Sequence, residues 1–345
     1  MSRGLEFRIV EADIASVAVD VLALKYAQAH YGLDKALANK FASAGALTSA
    51  LQPPVDQHAL LSTHGVVAAR ELLVIGVPTL RLFSYDQIQQ FAFDALAILA
   101  RERPATTRVA LTLHGAGFGL DEIASFQSEL AGLQRAWSLG HAPTALTTIL
   151  LVEHNTARCK RLRQALRKFI QESKPSDVIA GPDESAIFLD PQVDMNGPLP
   201  VEQRQPQQTT AARWHAFVAM PYSDAFADLF HYGIEPPVHQ NNLLCERVDQ
   251  STFTGDIVEY MRGKIETASV FIGVLTNSNP NVYLEVGYAW GKGIPTILTA
   301  SNVEDLQFDV KGQKCLAYQN IVDLEGKLNA ELKALQSAGR LSPHR

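Results

Sequence analysis

One stretch near the carboxyl end of the chain constrains the fold more than any other. The apolar run from Ala268 to Leu275 predicts a buried strand, and Thr296 to Thr299 predicts the next one. Between them, residues 278–289 predict a loop and a helix that ends at a turn, Gly291-Lys292-Gly293. Strand, loop, helix and strand in this order predict an α/β unit, in which ligands bind at the carboxyl ends of the strands.

The helix of this unit carries a candidate catalytic group, Glu285. We expect it in the first turn, where the helix dipole favours an ionised carboxylate by roughly 0.3–1 kcal/mol. An ionised acid at the mouth of a crevice suits a reaction that passes through a cationic, sugar-like transition state. The alternative is a helix N-terminus that carries an acid only for its own stability.

Composition sets the broad class of protein. A length of 345 residues predicts two domains, and 47% hydrophobic with 19% charged residues is typical of globular chains with sizeable cores. A net charge of −6 argues against general affinity for nucleic acids. The N-terminus lacks the apolar core of a signal peptide, and no apolar run reaches the length of a membrane span. We therefore expect a soluble cytoplasmic protein that binds neither membranes nor nucleic acids.

Cysteine and histidine positions indicate no metal centre. The three cysteines, at 159, 245 and 315, are widely spaced and odd in number, which predicts neither a disulfide framework nor a zinc site. The histidines are scattered without the spacing of metal ligands. We expect no bound metal and no cofactor.

A Pro- and Gln-containing stretch, 174–212, predicts a linker between a first domain, 1–173, and a second, 213–345. Apolar runs alternate with helical spacing on both sides of it, so the fold class is α/β, with two doubly wound domains and a largely parallel sheet in the first. Upstream strands are predicted at 17–24, 71–77, 108–113 and 146–152, and helices at 34–42, 84–101, 121–138 and 156–172. Downstream strands are predicted at 215–220, 270–275 and 296–299, and helices at 224–231, 256–268 and 324–336.

Three segments of the second domain are expected to converge on one edge of its sheet. Pro221 and Tyr222 follow the first strand, Arg247 and Asp249 follow later, and the third segment is Asn279 to Glu285. An arginine binds phosphate or carboxylate in bidentate fashion. The aspartate is a candidate acceptor for ribose hydroxyls and the tyrosine a candidate for stacking on a base. Alternatively, Arg247 and Asp249 pair only with each other and Tyr222 only packs. The remaining predicted substrate-binding residues are Asn279, Asn281 and Tyr288.

These segments resemble a known family. The order Phe217-Val218-Ala219-Met220-Pro221-Tyr222, Cys245 to Asp249, Phe253 to Ile257, Asn279 to Ala289 and Phe308-Asp309 is similar to that of TIR-like domains related to nucleoside 2-deoxyribosyltransferases. The resemblance covers about 215–318. It implies that Glu285 is the catalytic group for cleaving an N-glycosidic bond, either of NAD, to nicotinamide and an ADP-ribose product, or of a nucleoside.

One residue departs from the pattern of these relatives. They often carry an aspartate in the strand before the Asn-Pro-Asn block, whereas this chain has Val274. Loss of that carboxylate would reduce activity, change the substrate or leave a domain that binds without turnover.

The first domain carries a second candidate site. Asp13-Ile14 follows an early strand, and a glycine-rich turn lies between a later strand and a helix, where backbone N–H groups can approach a diphosphate. The alternative is a tight strand-to-helix connection. Residues 5–170 resemble a macro domain, which implies adenine binding by Asp13. It also implies that the turn binds the diphosphate of an ADP-ribose-type ligand, through Gly115, Ala116, Gly117, Phe118 and Gly119. Lys25-Tyr26-Ala27-Gln28 replaces the Asn-rich segment of hydrolytic macro domains, which favours sensing over hydrolysis.

A macro-like domain joined to a TIR-like domain resembles effectors of bacterial antiphage defence. The resemblance implies an ADP-ribose-derived messenger made by a partner enzyme, and NAD hydrolysis switched on when the messenger binds. It also implies a homo-oligomer. The alternatives are a nucleoside or nucleotide glycosidase or deoxyribosyltransferase, and a non-catalytic nucleotide-binding scaffold.

Overall fold

The computed structural model describes residues 4–30, 32–45, 48–79, 82–116, 118–189, 214–221, 223–248, 257–304 and 306–341. The chain divides into two compact units. The first comprises Met1–Ala116 and Glu122–Gln208, and the second comprises Gly117–Asp121 and Thr209–Arg345. Both are built from helices and a sheet, so the predicted α/β class with two such domains is confirmed.

The first unit contains an eight-stranded mixed sheet. Its strand order is β3-β4-β2-β5-β6-β1-β8-β7, and the five central strands from β4 to β1 run parallel. Its strands are β1 (Gly4–Glu11), β2 (Val21–Tyr26), β3 (His58–Ser62), β4 (Glu71–Gly76), β5 (Arg108–Leu111), β6 (Thr148–Glu153), β7 (Val178–Ala180) and β8 (Ala186–Leu189). Its α-helices are α1 (Gly32–Ser43), α2 (Tyr85–Glu102), α3 (Glu122–Ser138) and α4 (Thr156–Glu172).

The first unit extends further along the chain than predicted. Residues 178–189, inside the predicted linker, form β7 and β8, and β8 pairs antiparallel with β1. Phe188 stabilises the pairing of β8 with β1 because its ring is fully buried and stacks on that of Phe7 in β1, with 6.3 Å between the ring centres. The rest of the predicted linker, from 190 onwards, lies outside the described residues.

The second unit is a smaller doubly wound domain. Its five parallel strands have the order β10-β9-β11-β12-β13, which is 2-1-3-4-5 when counted along the unit. The strands are β9 (His215–Ala219), β10 (Leu244–Glu246), β11 (Val270–Val274), β12 (Thr296–Ala300) and β13 (Cys315–Ala317). The α-helices are α5 (Glu235–Gln240), α6 (Ile257–Thr267), α7 (Pro280–Gly291) and α8 (Ile321–Ser337).

Helices cover both faces of this second sheet, which explains why β11 is apolar throughout. On one face, Val218 and Ile272 pack with leucines of α8 such as Leu328. On the other, Phe217 and Phe271 pack with residues of α6 and α7. Strands buried on both faces lose the alternation of apolar and polar residues, as the sequence of β11 shows.

In place of the helix predicted at 224–231, the second unit has a 3₁₀ turn at Asp224–Phe226 and a π-helix at Leu229–Ile234. The cause lies just downstream, where Pro236 and Pro237 follow as part of α5. Prolines lack the N–H that would close regular α-helical hydrogen bonds to the preceding turn.

None of the helices within the described ranges has both the length and the hydropathy that a membrane-spanning helix needs.

Candidate active site

A cavity of about 200 Å³ lies at the carboxyl end of β9 in the second unit. β9 has β10 on one side and β11 on the other, so the strand order reverses direction here. In open α/β sheets, ligands bind at such a switch point. The cavity is lined by Phe217, Val218, Ala219, Met220, Val248, Met261, Asn279, Asn281, Val282 and Glu285.

The start of α7 supplies the polar side of this cavity. Asn279 is the N-cap residue, and its side-chain oxygen accepts a hydrogen bond from the backbone N–H of Asn281 at 3.0 Å. Pro280 occupies the first helical position, where its missing N–H costs nothing. The Asn-Pro-Asn sequence therefore folds as a helix start and brings both asparagines to the cavity.

Glu285 lines the same cavity, but its position in α7 differs from the predicted one. The helix begins at Pro280, so Glu285 is in the second turn, and the first turn contains no acidic residue. The prediction of a first-turn carboxylate was therefore wrong. The effect of the helix dipole on a carboxylate falls off beyond the first turn. The groups around the cavity therefore influence the ionisation of Glu285 more than the end of the helix does.

Gly273 in β11 lets α7 pack close to the sheet. A Cβ atom at this position would lie 3.0 Å from Val286 Cγ2 and 3.3 Å from Leu298 Cδ2. Val286 directly follows Glu285 in the helix. The absent side chain at 273 thus determines how far the catalytic candidate stands from the sheet.

Val274, at the position where the TIR-like pattern predicts an aspartate, belongs to the other face of the sheet. Its side chain is fully buried in the apolar cluster that contains Val218, Tyr318 and Leu324. It is not among the residues that line the cavity. A carboxylate at 274 would be buried among apolar side chains in this chain, which explains why valine suits the position.

Arg247 is close to the cavity without lining it. Its guanidinium lies 4.0 Å from the centre of the Phe230 ring, and Nη1 donates to Met220 Sδ at 3.3 Å. Met220 itself lines the cavity. Pro221 follows it and is buried. The structure therefore places Arg247 behind the cavity wall.

Tyr288 is directed to the neighbouring helix α6. Its hydroxyl donates to Glu266 Oε1 at 2.6 Å. This hydrogen bond is the main reason why the pKa of Tyr288 is raised. Lys292 also pairs with Glu266, at 2.6 Å. Tyr288 is not among the cavity-lining residues. The other two predicted substrate-binding residues, Tyr222 and Asp249, lie outside the described residues.

Asp13, in the first unit, caps a short 3₁₀ helix that follows β1. Its Oδ1 accepts from the backbone N–H of Ala15 at 2.9 Å, and the residue is exposed. Ser16 Oγ donates to the backbone carbonyl of Asp13 at 2.7 Å. The carboxylate is thus held at the surface by the first turn of the Asp-Ile motif.

The predicted glycine-rich turn is shared between the units. Gly115, with φ +87°, and Ala116 belong to the first unit, and Gly117 lies outside the described residues. Phe118 and Gly119 belong to the second unit, where Phe118 forms a bridge with Val248 and its carbonyl accepts from Tyr260 Oη at 2.6 Å. The backbone carbonyl of Phe118 is therefore already hydrogen-bonded to a side chain of the second unit.

A buried polar cluster in the first unit was not predicted. Lys25 of β2, His114 and Glu129 of α3 are each at most 4% exposed, and His114 Nδ1 lies 3.2 Å from Glu129 Oε1. Burial lowers the pKa of His114 well below its usual value, and the charge of Lys25 adds to this. Burial raises the pKa of Glu129 well above its usual value. A lysine within the apolar sequence of β2 is the signal that sequence reasoning passed over.

A second group of ionisable residues also escaped prediction. In the second unit, ligand-type atoms of Asp121, Glu235 and His239 lie within 4.8 Å of one another. The carboxylate of Asp121 accepts from His239 and from the backbone N–H of Cys245, and Glu235 pairs with His231 at 2.8 Å. Protein groups thus satisfy the cluster, so we assign no metal to it.

No protein family matches the chain as a whole or in part, and no curated protein matches it. Solved macrodomains are similar to about half of it. A Trypanosoma brucei macrodomain in complex with ADP-ribose is 12% identical, with 46% of this chain and 68% of that chain covered and a TM-score of 0.36. An Oceanobacillus iheyensis macrodomain with MES bound is 13% identical, with coverage of 48% and 92% and a TM-score of 0.36. The macrodomain of Thermus aquaticus DarG is 13% identical, with coverage of 42% and 97% and a TM-score of 0.32. At this level of similarity, the matches assign neither a ligand nor an activity to this chain.

Proposed function

We propose that the second unit hydrolyses NAD⁺ at the bond between nicotinamide and ribose. The observation that carries this proposal is the position of Glu285, a carboxylate in the lining of a cavity at the switch point of a 2-1-3-4-5 sheet. The lining residues that come from other segments than 279–285 are all apolar, which suits the faces of a base and a sugar.

The reaction needs stabilisation of positive charge at the sugar. The C1′–N bond breaks with both electrons moving to the pyridinium nitrogen, so nicotinamide leaves as a neutral molecule. The ribose becomes oxocarbenium-like, and a fixed carboxylate stabilises that charge. Water then supplies the hydroxyl group at C1′, a proton is released, and the products are nicotinamide and ADP-ribose.

We assign the other polar groups to positioning of the substrate. Asn279 and Asn281 line the cavity together with Glu285 and offer amide groups to sugar hydroxyls or a base. Arg247 stands behind Met220 and gives the cavity wall a fixed cation. A cavity of about 200 Å³ is smaller than the roughly 300–1,000 Å³ of sites for drug-sized ligands, so the base and its ribose enter it and the remainder of NAD⁺ stays outside.

The first unit, in this proposal, binds an ADP-ribose-type messenger that controls hydrolysis. The exposed carboxylate of Asp13 and the left-handed backbone at Gly115, which a side chain would strain, support this role. Together with the macro-like and TIR-like motifs, they support an antiphage effector whose messenger comes from a partner enzyme and drives oligomerisation.

The test is nicotinamide release by the purified full chain, with and without ADP-ribose-type nucleotides. We expect Glu285→Gln to lower kcat by about 10²–10³-fold, the cost of removing one group that stabilises transition-state charge. Asp228→Asn is the matched control, because it removes an exposed carboxylate of the same unit outside the cavity. It should leave kcat within about twofold.

The alternatives give different products. Release of bases from nucleosides, with NAD⁺ untouched, would favour a nucleoside glycosidase or deoxyribosyltransferase. Tight nucleotide binding without any product would favour a non-catalytic scaffold. Full activity in Glu285→Gln would contradict the proposed role of this residue.

A further inference from the structure

The loop between β11 and α7 has an unfavourable backbone conformation. Asn277, with φ +65° and ψ +17°, and Ser278, with φ +47°, both lie in the left-handed region. That region is costly for residues other than glycine, although asparagine tolerates it better than serine does. Two such residues in succession persist only where the surrounding structure fixes them. The loop therefore depends on contacts that hold it in place.

Thr276, at the start of this loop, makes such contacts. Its hydroxyl oxygen accepts the backbone N–H of Ser301 at 3.1 Å and lies 2.8 Å from the hydroxyl oxygen of Tyr318. Ser301 directly follows β12, and Tyr318 directly follows β13. One hydroxyl group thus connects the carboxyl ends of three neighbouring parallel strands, β11, β12 and β13.

Tyr318 is itself firmly held. The residue is 7% exposed and belongs to the apolar cluster that contains Val274 and Leu324. Burial raises the pKa of its hydroxyl, and side-chain hydrogen bonds with Thr276 and Ser301 oppose that rise. Thr276 is therefore bonded to a neutral hydroxyl on a buried ring.

The other end of the loop leads directly to the cavity. Asn279 lines the cavity and caps α7, where its side-chain oxygen accepts the N–H of Asn281. Its backbone carbonyl accepts the N–H of Val282 at 3.1 Å. Glu285 follows in the second turn of the same helix. Because the strained residues lie between Thr276 and Asn279, a shift at Thr276 reaches the start of α7 within three residues.

We propose that Thr276 and Tyr318 are positioning residues for this cavity. Their hydrogen bond fixes the strained loop, the loop fixes Asn279, and Asn279 determines where α7 begins and where Glu285 stands. Neither hydroxyl residue is among the described residues that line the cavity, so both act through the loop and not by contact with a substrate. The proposal rests on the proposed function for its effect on rate, whereas its effect on the start of α7 is measured without turnover.

The first experiment measures nicotinamide release by variants of the full chain. Thr276→Val removes the hydroxyl and keeps the shape of the side chain, whereas Thr276→Ser keeps the hydroxyl. We expect Thr276→Val to lower kcat about tenfold with KM for NAD⁺ changed less than about threefold, and Thr276→Ser to keep kcat within about threefold of the wild type. The matched control is Thr267→Val, which removes a hydroxyl that donates to backbone carbonyls of α6 and should leave kcat unchanged.

Tyr318→Phe tests the partner of Thr276. It should lower kcat by a similar factor, and the double variant should be close to the worse single variant, because the same hydrogen bond is lost in each. Tyr232→Phe, which removes an exposed hydroxyl of the same unit, is the control. Fully additive losses would show that the two hydroxyls act independently and would overturn the shared role.

The second experiment measures amide hydrogen exchange in the absence of substrate. The N–H groups of Asn281 and Val282 donate to Asn279, so their exchange rates report on the start of α7. We expect these rates to rise about three- to tenfold in Thr276→Val and Tyr318→Phe and to stay at the wild-type value in Thr276→Ser. Faster exchange confined to α8 would show a loss of overall stability without a change at α7, and would overturn the proposal.

These outcomes separate the positioning role from the hydrolase. If the wild type releases no nicotinamide, the hydrolase is refuted, and exchange at Asn281 and Val282 alone decides whether Thr276 and Tyr318 hold the start of α7. Wild-type kcat in Thr276→Val, with circular dichroism confirming the fold, would overturn the positioning role in an active enzyme. A loss of kcat that Thr276→Ser shares in full would do the same, because the hydroxyl would then not be the cause.

Discussion

Three ionisable side chains are buried together in the first unit, and burial opposes the charged forms of His114 and Glu129. His114 lies edge-on to Phe91 at 4.5 Å between ring centres, and Lys25 Nζ lies 5.7 Å from the centre of the Phe83 ring. His114 Nε2 and Glu129 Oε2 have no hydrogen-bond partner among the described residues. Adding a proton to His114 would place a second cation near Lys25 in apolar surroundings, so the neutral imidazole is favoured.

We predict that His114 makes the protein less stable in mild acid. Its folded pKa is lowered, so below about pH 6.5 the unfolded chain binds a proton that the folded chain does not. As the pH is lowered below 6.5, the contribution of His114 should reduce the free energy of unfolding by up to about 1.4 kcal/mol per pH unit. Urea titrations of the wild type and His114→Gln between pH 7.5 and 5.5 measure this difference.

Glu129 acts in the opposite direction, which is why the comparison uses a variant rather than one pH curve. Its raised folded pKa gives stability below about pH 4.5 that is lost as the pH rises through the folded value. His64→Gln, which removes an exposed histidine, is the control and should keep the wild-type slope. Parallel curves for the wild type and His114→Gln would contradict the buried neutral histidine.

At the scale of elements, the distance between β11 and α7 controls the position of Glu285. We predict that Gly273→Ala lowers kcat about tenfold, because its Cβ meets Val286 at 3.0 Å and displaces the helix, and small misplacements of catalytic groups are costly. Adding Val286→Ala should restore part of the loss by making room. Steady-state rates of nicotinamide release for the two single variants and the double variant measure the coupling.

The matched control for this pair is Gly263→Ala on α6. A Cβ at 263 meets no other group within 4 Å, so the substitution should leave kcat unchanged. If Gly273→Ala retains full activity, or if the double variant is worse than both single variants combined, the spacing between helix and sheet does not position Glu285.

Elements with strong periodicity could be predicted from the sequence, and weakly patterned ones could not. Helix α4 spans Thr156–Glu172 as predicted, because its apolar face repeats at helical spacing between a capping Asn155 and Ser173. Strands β7 and β8 were missed because they are three and four residues long and lie among prolines. Such short strands are specified by their pairing, of β8 with β1 and of β7 with β8, and not by local pattern.

Some residues in and around the cavity could also be predicted from the sequence, and others could not. Asn279, Asn281 and Glu285 belong to a compact motif, and the structure brings all three to one cavity. The apolar lining residue Met261 carries no signal, because its spacing in α6 is the same as that of a core residue. The position of Arg247 against Phe230 depends on a contact between residues far apart in sequence, which periodicity does not encode.

At the scale of the whole molecule, the chain contains two sheets that each have their own apolar core. Leu22, Leu72 and Leu150 belong to a cluster of the first unit, and Phe217 and Phe271 to one of the second. Units with separate cores can each bind a ligand. Regulation then requires a coupling free energy between the two binding events, and that coupling is reciprocal.

We predict that a substrate in the second unit tightens nucleotide binding by the first. If a messenger nucleotide favours the NAD⁺-binding state, thermodynamic linkage requires NAD⁺ to raise affinity for that nucleotide by the same factor, typically about 5- to 150-fold. Calorimetric titration of the Glu285→Gln full chain with ADP-ribose, with and without saturating NAD⁺, measures this factor without turnover. In saturating NAD⁺, the remaining heat of ADP-ribose binding should come from the first unit. Asp13→Ala should abolish that heat. An affinity for ADP-ribose that NAD⁺ leaves unchanged would mean that this nucleotide is not the activating messenger, because a ligand with equal affinity for both states shifts neither.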